Sequence, residues 1–121
     1  MEERKLNLAA AGYHMLQILS AVDGTFNADE DKVIRKYLNK TFPLPVNLDY
    51  EMEVISSLKP EDYFNHFNKA MDDFFLDSTK EERDKFLDLA VKLIKADKSI
   101  TREENIFIDT LFTKWEPDLI R

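Results

Sequence analysis

Four acidic side chains at matching positions in two similar stretches are the chain's main candidates for chemistry. Asp23 and Glu30 lie in the first stretch. Asp97 and Glu104 lie at the corresponding positions of the second. Carboxylate oxygens are the hard ligands that Ca²⁺ and Mg²⁺ take in proteins. The pattern therefore predicts divalent-cation binding at two acidic turns, with turn carbonyls as further ligands.

Helix capping is a second explanation for the same acids. Asn27 stands three residues before Glu30, which is the spacing of a capping box at the start of a helix. Thr101 and Glu104 repeat that spacing. The aspartate of each stretch closes a helix, where the macrodipole disfavours an anion by roughly 0.3–1 kcal/mol, so hydrogen bonds from turn amides would offset the cost. Cation binding and structural capping both stay open.

Other metal and catalytic patterns fit the sequence poorly. The stretch from Asp23 is not an EF-hand loop, because Ala28 replaces its Gly and Ile34 its final Glu. The absence of Cys excludes thiolate ligands and a Cys nucleophile. His14 and His66 are the only imidazoles, too few for a zinc site on their own, and Asp62 is close enough to pair with His66 on a helix. A non-enzymatic protein is predicted, and a metal-dependent carboxylate enzyme is the alternative.

Helices must position these residues. Apolar residues recur every three or four positions, and the chain has only two Gly and four Pro, which favours helices over a β-sandwich. Helix one is predicted from about Glu3 to Val22, and helix two from the Asn27 cap to a stop before Pro43. A short helix is predicted near 49–58, and a longer one after Lys59 carries an aromatic stripe expected in the core.

Two more helices complete the prediction. Ser78 and Glu81 form a capping box that opens helix five, and Thr101 opens helix six, which runs to Trp115. The predicted fold class is all-α: a single-domain bundle of about six helices, residues 1–121, with an internal duplication of a helix–turn–helix unit. The first repeat spans about 8–41, the acidic middle helices 42–77, and the second repeat about 78–116.

Acidic charge is concentrated between the repeats. The net charge is −7, and residues 42–77 hold eight acidic side chains against Lys59 and Lys69. Such a surface repels nucleic acid and anionic lipid and favours a basic protein partner. No apolar run is long enough to span a membrane, and the N-terminus does not resemble a signal peptide. A cytoplasmic protein is expected, and its oligomeric state stays open.

The two acidic stretches resemble the TerB-like (tellurite-resistance) family. The residues that carry the likeness are 21–30, AVDGTFNADE, and 95–104, KADKSITREE. The resemblance extends over most of residues 10–115, and Lys98 stands where the family pattern has Gly. The resemblance implies an all-helical duplicated fold. It also implies divalent-cation binding at the positions that match the family's acidic pattern: Asp23, Glu30, Asp97 and Glu104.

The resemblance also implies a function class. TerB-like proteins are associated with tellurite or chemical-stress resistance, and related domains occur fused to other modules as interaction units. The expected function is therefore a non-enzymatic interaction or stress-response-associated module with divalent-cation binding at the duplicated acidic turns. Besides the enzyme, a purely structural domain that binds a basic partner through its acidic middle is an alternative.

Cation binding predicts that Ca²⁺ or Mg²⁺ at millimolar concentration raises the melting temperature, because an ion bound only to the folded state stabilises it by mass action. Asp23→Asn and Asp97→Asn should each remove part of that rise in a thermal melt followed by circular dichroism. Capping predicts instead that Asn27→Ala costs about 1 kcal/mol with or without the ion. A melt unchanged by Ca²⁺, Mg²⁺ and Zn²⁺ contradicts cation binding.

Overall fold

A computed structural model describes residues 6–21, 28–42, 46–95 and 102–115. These ranges contain six α-helices and no strand, which confirms the predicted all-helical class. A short 3-10 helix, Pro60–Asp62, precedes the fourth helix. The helices are α1 Leu8–Ala21, α2 Ala28–Thr41, α3 Leu48–Ser56, α4 Tyr63–Asp77, α5 Lys80–Lys95 and α6 Arg102–Trp115. The internal duplication and the TerB-like fold stay predictions.

Helix α1 is the centre of the bundle. Every one of its residues is buried, and α2, α3, α4 and α5 all pack against it. Its sequence, LAAAGYHMLQILSA, contains no Asp, Glu, Lys or Arg, which agrees with a position surrounded by other helices. Tyr13, His14 and Gln17 are its largest polar side chains, so each needs a hydrogen-bond partner from a neighbouring helix.

Three surrounding helices pack closely against Gly12 of α1. A Cβ atom there would lie 3.3 Å from Leu38 Cδ2, 3.4 Å from Phe86 Cε1 and 3.5 Å from Phe74 Cε2. These three side chains belong to α2, α5 and α4. A Cβ atom fits here only if the Leu38 side chain shifts slightly, and a larger side chain would overlap the three helices that meet at this point of α1.

The aromatic stripe of α4 forms much of the core, with two exceptions. Phe67 and Phe74 are fully buried, and the Phe74 ring stacks on Trp115 at a centroid distance of 5.1 Å. Phe64 and Phe75, predicted to belong to the core stripe, are 41% and 43% exposed. These two residues lie on the outer edge of the stripe, because their spacing of three helical turns places them on one face, away from Phe67 and Phe74.

Several helix ends differ slightly from their predictions. The capping box of α5 uses Thr79 and Glu82: the Glu82 amide donates to Thr79 Oγ1 and the Thr79 amide to Glu82 Oε1. It lies one residue after the predicted box of Ser78 and Glu81. Asn47 caps α3 by accepting from the Tyr50 amide. The predicted caps Asn27 and Thr101 lie outside the described residues, as does the predicted start of helix one.

We expect Gly12→Leu to destabilise the protein by about 3 kcal/mol, because the added atoms overlap three packed side chains. Gly12→Ala is the matched control. Its stability should stay within about 1 kcal/mol of the parent, because better helix propensity offsets one tight contact. Urea unfolding followed by circular dichroism measures both changes. A leucine variant as stable as the parent would contradict the packing at this point.

Candidate functional site

The four predicted cation ligands fall largely outside the described structure. Asp23 and Asp97 lie in ranges that the structure does not describe. Glu30 lies on α2 and Glu104 on α6, but only their backbone is described. Within the described part of the chain, no group of three or more His, Cys, Asp or Glu residues could hold a metal ion. Cation binding at these four residues stays a prediction.

A buried chain of three titratable side chains connects α1 with α3 and α4. His14 Nδ1 lies 2.7 Å from His66 Nε2, and His14 Nε2 lies 2.7 Å from Glu51 Oε1. The exposed fractions are 0% for His14, 8% for His66 and 4% for Glu51. The two imidazoles, far apart in the sequence, therefore meet in the interior with a carboxylate at one end. We call these three residues the histidine cluster.

A second polar network joins α1 to α2 and α3. Tyr13 Oη and Gln17 Nε2 both donate to Asp31 Oδ1. Arg35 forms ion pairs with Asp31 at 2.9 Å and with Asp49 at 2.8 Å. In the described part of the chain Gln17 Oε1 is buried with no hydrogen-bond partner. We call these five residues the arginine network.

Two members of the arginine network, Tyr13 and Arg35, keep their protonation states over the neutral range. Burial raises the pKa of the Tyr13 phenol well above its usual value, and the hydrogen bond to Asp31 raises it further. Burial alone lowers the pKa of Arg35, but hydrogen bonds to Asp49 and Tyr13 outweigh it and leave that pKa raised. Tyr13 thus remains a donor and Arg35 a cation wherever the protein is folded near neutrality.

The histidine cluster is poorly placed for catalysis on an external substrate. A general base must come within hydrogen-bond reach of the proton that it removes. His14 is completely buried, and both of its ring nitrogens already contact protein side chains. The geometry favours an internal role for these groups over substrate turnover.

The surface holds an apolar groove between α4 and α6. Its volume is about 380 Å³, and it is lined by Asp72, Phe75, Leu76, Lys114 and Trp115. Leu76 is 72% exposed, while Trp115 is 6% exposed and packs inward against the core. Lys114 Nζ contacts Asp72 Oδ1 at 3.3 Å. We call this feature the docking groove.

The acidic middle of the sequence is partly neutralised in the fold. Glu51 is buried beside His14, and Asp49 pairs with Arg35. Asp73 pairs with Lys69 at 2.6 Å, and Asp72 with Lys114. Six of the eight acids are exposed, including the paired Asp49 and Asp72: Asp49, Glu53, Glu61, Asp62, Asp72 and Asp77. The negative surface is thus smaller than the sequence count of eight suggests, and it extends along α3, the 3-10 helix and α4.

Sequence reasoning found the two histidines but not their arrangement. Asp62, the predicted partner of His66, lies exposed at the surface, whereas His66 is buried against His14. Glu51 was missed entirely. Its position offered one signal, because Leu48, Glu51 and Ile55 have the spacing of a buried helix face. An acid at such a position needs an internal partner.

Comparison with protein-family models, curated proteins and solved structures gives no match to this chain. The TerB-like resemblance accordingly stays a prediction. Among the described residues, no helix is both long enough and apolar enough to cross a membrane.

We expect Glu51→Ala to lower the free energy of unfolding by about 1–3 kcal/mol, because it leaves a buried imidazole donor without its acceptor. Glu53→Ala is the matched control on the same helix. Glu53 is exposed, so its removal should change stability by less than about 0.5 kcal/mol. Urea unfolding at neutral pH measures both. Equal effects of the two substitutions would show that the contact of Glu51 with His14 adds nothing to stability.

Proposed function

We propose that the protein is a non-enzymatic helical interaction module that binds a partner protein in the docking groove. The observation that carries the proposal is the exposure of two consecutive large apolar residues beside a cavity. Leu76 is 72% exposed and Phe75 is 43% exposed, and both line the groove. Single exposed apolar residues are ordinary, whereas neighbouring ones that border a cavity are typical of binding sites.

The walls of the groove are well supported. Trp115 stacks on Phe74 and also contacts Phe86, with ring centroids 5.7 Å apart. The Arg83 guanidinium lies 4.2 Å from the centroid of the Phe75 ring. A rigid aromatic surface loses little conformational entropy when a partner binds to it, which favours affinity. The groove therefore offers a partner a preformed surface.

Charge around the groove favours a basic partner. Asp72 lines the groove, and Asp77 is exposed one residue after Leu76. The contact of Asp72 with Lys114 is exposed, and such a pair contributes about 0–1 kcal/mol, so a partner's cation can replace Lys114 at low cost. The net charge of −7 would steer a basic segment towards the protein.

The partner that fits is an amphipathic helix with a basic face. Helices that bind in grooves place apolar residues at spacings of three and four into the apolar surface. A cavity of about 380 Å³ has room for one or two such side chains, and basic residues on the flanks would meet Asp72 and Asp77. The family resemblance supports two separate proposals. One is a role in the stress response, and the other is cation binding at Asp23, Glu30, Asp97 and Glu104.

A synthetic helix of about 14 residues, with leucine on one face and lysine on the other, tests the docking groove. Trp115 is the only tryptophan and lines the groove, so its fluorescence reports binding directly. Leu76→Ser should weaken binding about tenfold or more, because the complex no longer buries a leucine side chain. Val33→Ser is the matched control, since Val33 is 54% exposed on α2 and should have no effect.

Two outcomes would overturn this proposal. A peptide of the same composition in scrambled order that binds as tightly would show attraction by charge alone. Self-association that disappears in Leu76→Ser, measured by sedimentation without peptide, would assign the groove to a second copy of the chain.

A further inference from the structure

A second surface cavity lies between α2 and α5, apart from the docking groove of α4 and α6. Its volume is about 510 Å³. One wall consists of Tyr37, Lys40 and Thr41 of α2. The other wall consists of Lys85, Asp88, Leu89 and Lys92 of α5. We call this feature the lysine groove, because three of its lining residues are lysines and only one is an acid.

Tyr37 joins the two walls of the lysine groove. Its hydroxyl donates to the backbone carbonyl of Lys85 at 3.1 Å, and its ring packs edge-on against the buried Phe42, with centroids 6.4 Å apart. Burial raises the pKa of the Tyr37 phenol, and the charge of Asp88 raises it further, which together outweigh the hydrogen bond with Thr41. Tyr37 thus stays uncharged near neutral pH and adds no negative charge to the groove.

The positive charge of the lysine groove is poorly compensated by the protein itself. Among the described residues, Lys40 and Lys92 form no ion pair with a carboxylate. Lys85 lies 3.4 Å from Glu81, but both side chains of this pair are more than half exposed, so solvent weakens their attraction. Asp88 is the single acid of the lining and can balance only one of the three lysines. The groove is therefore locally positive, although the net charge of the protein is −7.

The spacing of the three lysines favours an extended ligand. Lys85 and Lys92 are seven residues apart, so two helical turns separate them and their Cα atoms lie roughly 10 Å apart along α5. Lys40 lines the opposite wall. A row of linked anionic groups can contact all three lysines at once, whereas a single small anion cannot. The geometry thus favours a ligand with several negative charges in a line.

Phosphate groups fit this groove better than an acidic protein segment does. Lysine binds phosphate as a point charge and needs no fixed geometry for it. A helical peptide, in contrast, needs an apolar surface into which its own apolar side chains can pack. Leu89 is the only aliphatic residue of the lining, so the groove offers such a peptide little to bind.

We propose that the lysine groove binds a linear chain of phosphate groups, with Lys40 on one side of the chain and Lys85 and Lys92 on the other. The chain is either a free oligophosphate or the phosphate part of a nucleotide. Asp88 selects for highly charged ligands, because it repels every anion and only a ligand that contacts several lysines outweighs this repulsion. The site is independent of the docking groove and of the four acids predicted to bind cations.

Isothermal titration calorimetry with sodium tripolyphosphate, at low salt and without divalent cations, tests the proposal. The dissociation constant should be below about 1 mM, and it should rise when sodium chloride is added, because salt screens the attraction. Sodium orthophosphate at the same concentration should not bind measurably. Absence of tripolyphosphate binding, or equal binding of orthophosphate, overturns the proposal.

Substitutions on both walls test whether the ligand lies between them. Lys40→Gln and Lys92→Gln should each weaken tripolyphosphate binding about fivefold, because each removes one charge contact, and Asp88→Asn should strengthen it by a similar factor. Lys59→Gln is the matched control, since it makes the same change of charge at an exposed residue outside the groove. It should leave the affinity within about twofold of the parent value, because salt and solvent screen a distant charge.

Two results of this series contradict the proposal. Equal weakening by all three lysine substitutions would show that net charge alone attracts the anion. Weakening by only one of Lys40→Gln and Lys92→Gln would show that the ligand does not bridge the walls. All four substituted side chains are exposed, so the variants should fold, and circular dichroism verifies this.

Nuclear magnetic resonance locates the bound anion. Tripolyphosphate should shift the backbone amide signals of residues 37–41 and 85–92, while the emission of Trp115 should not change, because Trp115 lines the docking groove. Shifts confined to other helices overturn the assignment to the lysine groove. Peptide binding in the docking groove is measured separately, so the failure of one proposal leaves the other standing.

A nucleotide arm identifies the source of the phosphate chain. Adenosine triphosphate, titrated under the same conditions, carries the same chain with a sugar and a base. Tighter binding of the nucleotide than of tripolyphosphate supports a nucleotide as the ligand, and weaker binding supports a free oligophosphate. Binding of adenosine triphosphate that is unaffected by Lys40→Gln and Lys92→Gln contradicts a nucleotide in this groove.

Discussion

The fold depends on the burial of α1, a helix that is apolar except for a few uncharged or titratable side chains. All 14 of its residues are buried, so its polar side chains depend on other helices for their hydrogen bonds. Tyr13 and Gln17 form hydrogen bonds with Asp31 of α2. His14 forms hydrogen bonds with Glu51 of α3 and His66 of α4. The positions of three neighbouring helices are thus set by hydrogen bonds as well as by apolar packing.

Polar contacts of this kind add specificity more than stability. Apolar packing on α1 tolerates small shifts of a neighbouring helix, because many arrangements of methyl groups have similar energies. A contact of 2.7 Å between ring nitrogens does not tolerate such shifts, because the penalty for an unsatisfied buried donor is about 1–3 kcal/mol. His14 therefore fixes the register of α4 on α1.

Much of the fold was predictable from the sequence, and the arrangement of the candidate site was not. The helices follow from local patterns of three and four residues, and their ends from prolines and caps, which act over a few residues. The predicted position of the α5 cap was wrong by one residue, because Thr79 and Glu82 have the same spacing as Ser78 and Glu81. The meeting of His14 with His66 depends on how α4 packs on α1, and no local pattern encodes that distance.

The outward face of α4 was equally hard to foresee. Aromatic residues at helical spacing predict a buried helix face. Phe64 and Phe75 have that spacing, and so do Phe67 and Phe74. The extent of the surface of α4 that α1 and α6 cover decides which of these residues are buried. Leu76, two residues after Phe74, lies outside the covered surface and remains exposed. The docking groove is thus a consequence of tertiary packing. The apolar surface at the end of α4 is larger than the area that the neighbouring helices cover.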